Sequence, residues 1–294
     1  MKSDTPGAAS MGARSRDSLR SGMERIARQL IASQVKLSRA FDRLLPRSFR
    51  IDGSKDFKQR IVPSYLRPGL AVYDIGGGAR PCVDLATKRR LGLEVTGLDI
   101  DAEQFAKAPR GLYDRAIAAD ITAHHEQNAA DLVVCKSTLE HVRNTEAALG
   151  TMARLLKPGG TLLVFVPSRN ALYARLNVLL PQHVKMRLLS AFMPDRVDHL
   201  GFPAFYDHCT PREFRRFAAR HGLQVKELRP YYISSYFSVA FPLYVLWRLW
   251  ILAYRTVARE QAAESFVLIA SKPALAVMPG AATKTTELLL IANH

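Results

Sequence analysis

Short apolar runs alternate with amphipathic segments between about residue 70 and residue 167. The runs have the length of buried strands, and the segments between them carry apolar residues at helical spacing. The predicted strands are 71–75, 94–99, 115–119, 131–135 and 161–166, and the predicted helices are 82–91, 101–107 and 143–156. This alternation is typical of an α/β fold in which a parallel sheet has helices on both faces.

A basic segment precedes this alternation. Residues 1–21 are rich in Ser, Gly, Ala and Arg, which predicts a disordered basic tail, with an organellar transit peptide as an alternative. Residues 22–67 are predicted to form an amphipathic helix and a linker. The apolar residues at helical spacing are Met23, Ile26, Leu30, Leu37, Phe41 and Leu44, and the basic ones are Arg25, Arg28, Lys36, Arg39 and Arg43. The basic face is either solvated or in contact with anionic lipid or an acidic substrate.

Two insertions are predicted after the fifth strand. Residues 168–222 are longer than a simple crossover requires, so we expect them to form a lid over the substrate. Two further strands, Leu223–Leu228 and Ser265–Ala270, flank an apolar insertion at residues 231–258. Because this insertion lies between two strands of one sheet, its helix is not expected to span a membrane. It is expected to enter one leaflet, to form a dimer interface or to act as a buried lid helix. Residues 274–294 form a tail without an interpretable motif.

The composition indicates a globular protein whose charge is distributed unevenly along the chain. Hydrophobic residues make up 48% of the chain, the formal net charge is +16, and residues 1–70 hold 15 Lys or Arg against 6 Asp or Glu. Basic charge of this kind is generic, and no nucleic-acid module accompanies it, so no specific nucleic-acid partner is expected. The cysteines lack CxxC spacing, which indicates a reducing compartment and no zinc cluster; they are Cys82, Cys135 and Cys209.

A glycine turn follows the first predicted strand. Gly76, Gly77 and Gly78 let the backbone pass close to a ligand, and Asp99 ends the next strand 21 residues after Gly78. An acidic residue at this place hydrogen-bonds ribose hydroxyls, so the pattern predicts a nucleotide-type cofactor. A dinucleotide turn would need a third glycine where Pro81 stands. The carboxylate of Asp74 disfavours a diphosphate and favours a cationic cofactor.

Five ordered landmarks extend this pattern. They are Asp74–Gly78, Leu98–Asp101, Ala119–Ile121, Asp131–Cys135 followed by Leu139-Glu140-His141-Val142, and Leu156–Gly160. Together they resemble the class I S-adenosylmethionine-dependent methyltransferases. The segment after the fourth strand resembles the small-molecule type, including the ubiquinone-biosynthesis O-methyltransferase group. This likeness implies a Rossmann-like seven-stranded sheet over residues 68–273, with the N-terminal helix and the helical lid added to it.

The resemblance also implies roles for residues at the matching positions. Asp74, Gly76 and Gly78 would shape the pocket for the methionine part of S-adenosylmethionine, and Asp99 would bind the ribose hydroxyls. The predicted cofactor-binding set is completed by Ile100, Asp120, Ile121 and Lys136. Asp120 and Ile121 of this set would flank the adenine. Where the family usually has a further glycine, this chain has Arg80, which either reaches an anionic group or lies in a solvated turn.

Candidate catalytic residues follow the fourth and fifth strands. An imidazole titrates near neutral pH, so His141 is the first candidate for a general base and His208 the second. The alternatives are that His141 caps the following helix and that His208 lies in the entry loop of a helix that begins at Thr210-Pro211. Arg169 and Tyr206 are predicted to contact the acceptor substrate.

No metal site is predicted. Some members of the resembled group bind a divalent metal through Glu-x-x-Glu-His, but Ser137 replaces the first Glu here. The two remaining groups, Glu140 and His141, are too few to hold a metal ion.

The sequence therefore predicts a methyltransferase that uses S-adenosylmethionine and acts, at oxygen, on a small-molecule or lipid-linked acceptor. Two alternatives stay open: an RNA or protein methyltransferase, and a non-catalytic cofactor-binding protein associated with membranes. The predicted location is the cytoplasm, with peripheral contact to a membrane surface as an open option.

Overall fold

The computed structural model describes residues 8–180, 184, 187, 203–234 and 237–274. Within the first helix, side chains are described from residue 25 onward. The predicted tail 274–294 lies outside the described residues except for its first residue, and so does much of the middle of the predicted lid.

A seven-stranded sheet forms the centre of the fold. Its strands are β1 Ala71–Ile75, β2 Glu94–Asp99, β3 Arg115–Ala118, β4 Ala130–Lys136, β5 Leu156–Pro167, β6 Gln224–Tyr231 and β7 Ser265–Ser271. The order is β3-β2-β1-β4-β5-β7-β6, and β7 runs antiparallel to β5 and β6. The other pairs are parallel, so the carboxyl ends of β1 to β5 meet at one edge of the sheet. The predicted Rossmann-like α/β fold is confirmed.

Helices cover both faces and one edge of this sheet. They are α1 Ala8–Asp42, α2 Gly53–Asp56, α3 Val62–Tyr65, α4 Leu85–Leu91, α5 Glu103–Ala106, α6 Thr145–Leu155, α7 Leu172–Leu179, α8 Pro211–Arg220 and α9 Phe241–Ala258. Side-chain caps fix several of their starts. The Thr210 hydroxyl accepts the N–H of Glu213 at 3.3 Å, as the box at Thr210-Pro211 predicts. No helix of the described residues has the length and apolar content that a transmembrane span needs.

The N-terminal helix begins earlier than the sequence predicts. α1 starts at Ala8, so residues 8–21 are helical where composition predicted a disordered tail. Alanine and arginine in this stretch are good helix formers, and extending an existing helix costs less than nucleating a new one. The low apolar content of residues 8–21 means that they cannot form a core of their own. They can still continue a helix whose last turns pack against the rest of the protein.

Three apolar clusters position the elements. One lies between the sheet and α6 with α8, and includes Tyr73 and Ile75 of β1. The second lies on the opposite face of the sheet and includes Val72 and the segment 57–66. The third joins the end of α1 to α9 at the β6 side of the molecule. α1 and α9 therefore form a separate layer at one edge of the sheet.

Candidate functional site

A cleft of about 580 Å³ lies at the carboxyl ends of the first four strands. Six of the residues predicted for the site line it: Gly76, Asp99, Ile100, Asp120, Ile121 and His141. They come from four different strand ends, which parallel pairing brings to the same edge of the sheet. The sequence prediction of a site at this edge therefore agrees with the location of the cleft.

The glycine turn is packed too tightly for side chains. Gly76 has φ +68°, and a Cβ on it would lie 2.2 Å from the Thr138 Oγ1 atom. A Cβ on Gly78 would lie 2.7 Å from the Asp99 Oδ2 atom. Glycine is required because the left-handed backbone and these close approaches exclude any larger residue. The turn is thereby held between the end of β2 and the loop after β4.

The Asp74 carboxyl lies buried beneath this turn. Its Oδ2 atom accepts the N–H of Cys82 at 2.7 Å, and a Cβ on Gly77 would lie 2.5 Å from its Cγ atom. Its Oδ1 atom has no hydrogen-bond partner among the described residues. Burial raises the pKa of Asp74 to about 6. The carboxyl does not line the cleft itself, so it acts on the cleft as a nearby charge.

Asp99 presents a carboxylate at the end of β2. Its Oδ1 atom accepts the N–H of Asp101 at 3.1 Å, and partial burial raises its pKa above the ordinary value. The neighbouring Ile100 side chain is 65% exposed, although it is large and apolar. A hydrogen-bond acceptor beside an uncovered apolar surface suits a ligand with hydroxyls and a flat ring.

The end of β3 supplies the next part of the cleft. The Asp120 Oδ1 atom accepts both the N–H and the hydroxyl of Thr122 at 2.8 Å, which fixes the turn. Ile121 is buried and also belongs to the core cluster on this face. The side chain of Asp120 is thus engaged locally, while Ile121 offers an apolar wall.

His141 lies in the cleft in a defined hydrogen bond. Its Nδ1 atom is 3.1 Å from the Pro203 carbonyl oxygen. Because a carbonyl only accepts, Nδ1 carries the hydrogen and Nε2 keeps its lone pair in the neutral ring. The Glu140 Oε1 atom lies 4.0 Å from Nε2, and burial raises the pKa of Glu140 to about 8. The hydrogen bond to Pro203 therefore makes Nε2 the accepting atom of the ring in its neutral form.

Other predicted site residues lie outside the lining of the cleft. His208 is exposed, with Nε2 3.6 Å from the Asp207 Oδ1 atom. Exposed Arg169 donates its backbone N–H to the Cys209 carbonyl. Tyr206 is buried and donates its backbone N–H to the Glu140 carbonyl. Gly78 and Lys136 also lie outside the lining, and the Lys136 Nζ atom is 5.9 Å from the centre of the Phe165 ring. The functional roles of all these residues stay predictions.

Several residues of the cleft were not predicted from the sequence. They are Ser137, Thr138, Val142, Asn144, Pro203 and Phe205, together with Arg143, whose guanidinium lies 4.1 Å above the Phe205 ring. Residues 137–144 directly follow β4, so their place after a strand end was a usable signal. Pro203 and Phe205 reach the cleft because the backbone N–H groups of Phe205 and Tyr206 donate to Glu140. No local pattern marks that contact.

A metal ion in a protein is held by several His, Cys, Asp or Glu side chains that converge on one point. Among the residues that the structure describes, no group of three or more His, Cys, Asp or Glu side chains is arranged to hold a metal ion. Glu140 and His141 stand as neighbours without a third ligand in that part of the chain.

Comparison with known families adds an independent observation. A family model described as a methyltransferase domain matches residues 37–228, which is more than half of the chain. The chain belongs to this methyltransferase family. It is a class I enzyme of the kind that uses S-adenosylmethionine, as the order of its motifs and its sheet topology indicate.

Curated relatives of this methyltransferase share part of its length. The "Ubiquinone biosynthesis O-methyltransferase" of Cupriavidus pinatubonensis is 30% identical over 169 residues, 55% of this chain and 63% of that protein. The protein of the same name from Burkholderia pseudomallei is 29% identical over 170 residues, 55% of this chain and 68% of that protein. The chain thus spans less than two thirds of the first relative.

A solved structure with a similar fold is an S-adenosylmethionine-dependent methyltransferase from Mesorhizobium loti. It is 17% identical, covers 75% of this chain and 99% of its own, and superposes with a TM-score of 0.48.

The residues of the cleft fit S-adenosylmethionine, the cofactor of this methyltransferase family. The cofactor carries ribose hydroxyls, an adenine ring and a positively charged methionine end. Asp99 offers an acceptor for hydroxyls, and Ile100 and Ile121 offer apolar surface for a ring. The buried Asp74 Oδ1 atom, which has no partner among the described residues, offers negative charge beneath the glycine turn.

Proposed function

We propose that this protein transfers a methyl group from S-adenosylmethionine to an oxygen atom of a small-molecule or lipid-linked acceptor. The observation that carries the proposal is that Asp99, whose carboxylate suits ribose hydroxyls, and His141, the first candidate for a general base, line the same cleft. Two relatives carry the name O-methyltransferase, which supports oxygen as the acceptor atom.

Each residue contributes a limited step. Asp99 accepts the ribose hydroxyls, Ile100 and Ile121 enclose the adenine, and Asp74 balances the positive end of the cofactor. When bound, S-adenosylmethionine supplies an activated methyl group, so the protein mainly aligns the acceptor with it. His141 takes the proton of the acceptor hydroxyl at Nε2, while the Pro203 carbonyl holds its Nδ1–H.

The direct test is transfer of labelled methyl from S-adenosylmethionine into a host extract that is separated into soluble, lipid and nucleic-acid fractions. Label in the soluble or lipid fraction, absent with the Asp99→Ala protein, would support the proposal. Label in RNA or protein would favour the first alternative function. Cofactor binding without label in any fraction would favour a non-catalytic protein.

The His141→Ala protein is expected to lose turnover while it keeps its affinity for the cofactor. A positioned general base contributes typically 10²–10⁴-fold, so we expect kcat to fall by about 10²-fold or more. Steady-state kinetics on the labelled fraction, with calorimetry of cofactor binding, separates the two effects. His125→Ala is the matched control, because His125 is exposed and lies outside the cleft lining. Full turnover in the His141→Ala protein would exclude His141 as the base.

Cofactor affinity is expected to fall as the pH drops below about 6. Burial raises the pKa of Asp74 to about 6, and only the ionised carboxylate attracts the positive methionine end. One pH unit below this pKa, affinity should be about tenfold weaker. The same raised pKa makes the cofactor-free protein lose stability as the pH rises through about 6. Calorimetry of cofactor binding between pH 5 and pH 8 tests the dependence of affinity on pH, and the Asp74→Asn protein should show a flatter dependence. If affinity still depends steeply on pH in the Asp74→Asn protein, another titrating group, such as Asp99, causes the dependence.

Peripheral membrane contact is part of the proposal, and exposed apolar side chains on α9 support it. Leu243, Leu246 and Trp250 are each more than half exposed, and Trp250 stacks on Tyr254. α9 packs beside α1, which carries exposed Arg25, Arg28, Lys36, Arg39 and Arg43. Apolar residues beside basic ones suit the interface of an anionic bilayer.

Substituting Leu243, Leu246 and Trp250 together by serine is expected to abolish flotation of the protein with vesicles that contain phosphatidylglycerol. The control replaces Leu172, Leu176 and Leu179 of α7 by serine, because these leucines are also exposed but lie on another helix. Flotation unchanged in the α9 variant would exclude α9 as the membrane contact.

A further inference from the structure

A second cavity lies beside the cofactor cleft and has a volume of about 890 Å³. It opens between the last turns of α1, residues 50–55 and the carboxyl end of β5. Four cationic side chains line it: Arg39, Arg43, Arg50 and Lys55. We call this space the basic cavity.

The positive charge of the basic cavity is not neutralised. Within the described part of the chain, these four cationic side chains make neither an ion pair nor a hydrogen bond. Of the two carboxylates in the lining, Asp42 faces the buried Arg248, with Oδ1 3.0 Å from Nε, and accepts the Tyr244 hydroxyl. Asp52 is exposed and caps α2 through the N–H of Lys55. An anionic ligand would therefore meet an excess of positive charge.

The other walls of the basic cavity are apolar and aromatic. Phe165 and Pro167 of β5 contribute to them, together with Tyr173 of α7 and Tyr244 of α9. A pocket that combines cations with aromatic side chains suits an acidic molecule that also has apolar surface.

The basic cavity and the cofactor cleft open at the same edge of the sheet, on its two faces. Phe165 of the basic cavity belongs to the apolar cluster on one face, and Ile75 of the cleft belongs to the cluster on the other. The Phe165 carbonyl oxygen accepts the N–H of Ser137, which lines the cofactor cleft, at 2.9 Å. The two linings therefore meet at the carboxyl end of β5.

We propose that the basic cavity binds the phosphate-type head of an acidic amphiphilic acceptor, whose hydroxyl reaches past Phe165 into the cofactor cleft. The inference rests on the proposed methyl transfer and adds the chemical class of the acceptor. A guanidinium group can donate two parallel hydrogen bonds to two oxygens of a phosphate, and three guanidinium groups line this cavity. The four cations also carry more positive charge than a single carboxylate would balance. The aromatic walls hold the apolar part.

The test measures binding of dihexanoyl phosphatidic acid, below its micelle concentration, by calorimetry. The Arg39→Gln/Arg43→Gln protein should bind it at least about tenfold more weakly than the original protein. The matched control is Arg89→Gln/Arg90→Gln, which removes the same charge from exposed positions of α4 outside the basic cavity and should bind within about twofold. Equal loss in both variants, or no binding by the original protein, would overturn the inference.

Inorganic phosphate and pyrophosphate form separate arms of the experiment. Tighter binding of the amphiphile than of either ion supports an amphiphilic acceptor, whereas equal affinity overturns it in favour of a site for free phosphate. Cofactor binding and methyl transfer are measured on the same proteins. A raised KM for the labelled acceptor, with cofactor affinity unchanged, supports the inference. If the original protein and the Arg39→Gln/Arg43→Gln protein transfer methyl groups equally well, the inference is overturned and the proposed function stands. If the amphiphile binds but no methyl group is transferred, the proposed function is overturned.

Discussion

Replacing Asp99 by alanine is expected to weaken the binding of S-adenosylmethionine by about 10²–10⁴-fold. Asp99 lines the cleft at the end of β2, and its carboxylate would accept two ribose hydroxyls. Each charge-assisted hydrogen bond contributes about 1.5–3 kcal/mol, which gives this range of affinity for two of them. Isothermal titration calorimetry with the cofactor measures the change directly.

Two further proteins make the result on Asp99 specific. Asp99→Asn keeps the shape of the side chain and removes its charge, so its affinity should lie between those of the original and the alanine proteins. Glu103→Ala removes an exposed carboxylate from α5 nearby and should bind normally. Cofactor affinity in Asp99→Ala equal to that of the original protein would remove Asp99 from the site.

Replacing Asp42 by alanine is expected to lower the free energy of unfolding by about 3–5 kcal/mol. The Arg248 side chain is fully buried, and it donates to the carbonyl oxygens of Tyr232 and Phe49. Without the Asp42 carboxylate, the buried charge of Arg248 has no salt-bridge partner among the described residues. Both tryptophans of the chain, Trp247 and Trp250, lie in α9, so their fluorescence during urea denaturation reports on this region.

The double variant Asp42→Ala/Arg248→Met separates charge from packing. Removing both members of a buried ion pair is often close to neutral, because no unpaired charge remains. We expect the double variant to recover most of the stability that the single variant loses. A double variant as unstable as Asp42→Ala would show that the loss comes from packing around the pair.

Local patterns in the sequence predicted the sheet and the cofactor side of the cleft. Strands β1 and β2 have the predicted bounds, because buried parallel strands read as short apolar runs that end at glycine or acidic residues. β5 starts at Leu156 rather than at residue 161, since the turn at Lys157-Pro158-Gly159-Gly160 ends α6 while the chain already pairs with Ala130 of β4.

The sequence did not predict the contacts between segments that lie far apart in the chain. Phe205 donates its N–H to the Glu140 carbonyl and the Pro203 carbonyl pairs with the His141 ring, each more than 60 residues apart in the chain. Arg248 stands in the sequence as a charge that interrupts an apolar run, and its burial depends on Asp42 and two carbonyl groups that other elements supply. The basic face of α1 had open interpretations because the other walls of the basic cavity come from residues 50–55 and the end of β5.

The layer of α1 and α9 contributes to the basic cavity and, among the described residues, not to the cofactor cleft. The two linings have no member in common within the described part of the chain. On the proposal that the basic cavity holds the head of the acceptor, substitutions at exposed positions of α1 would alter which acceptor is accepted while the residues for the methyl donor stay in place. A new acceptor specificity would then arise at this edge of the sheet without rebuilding the catalytic centre.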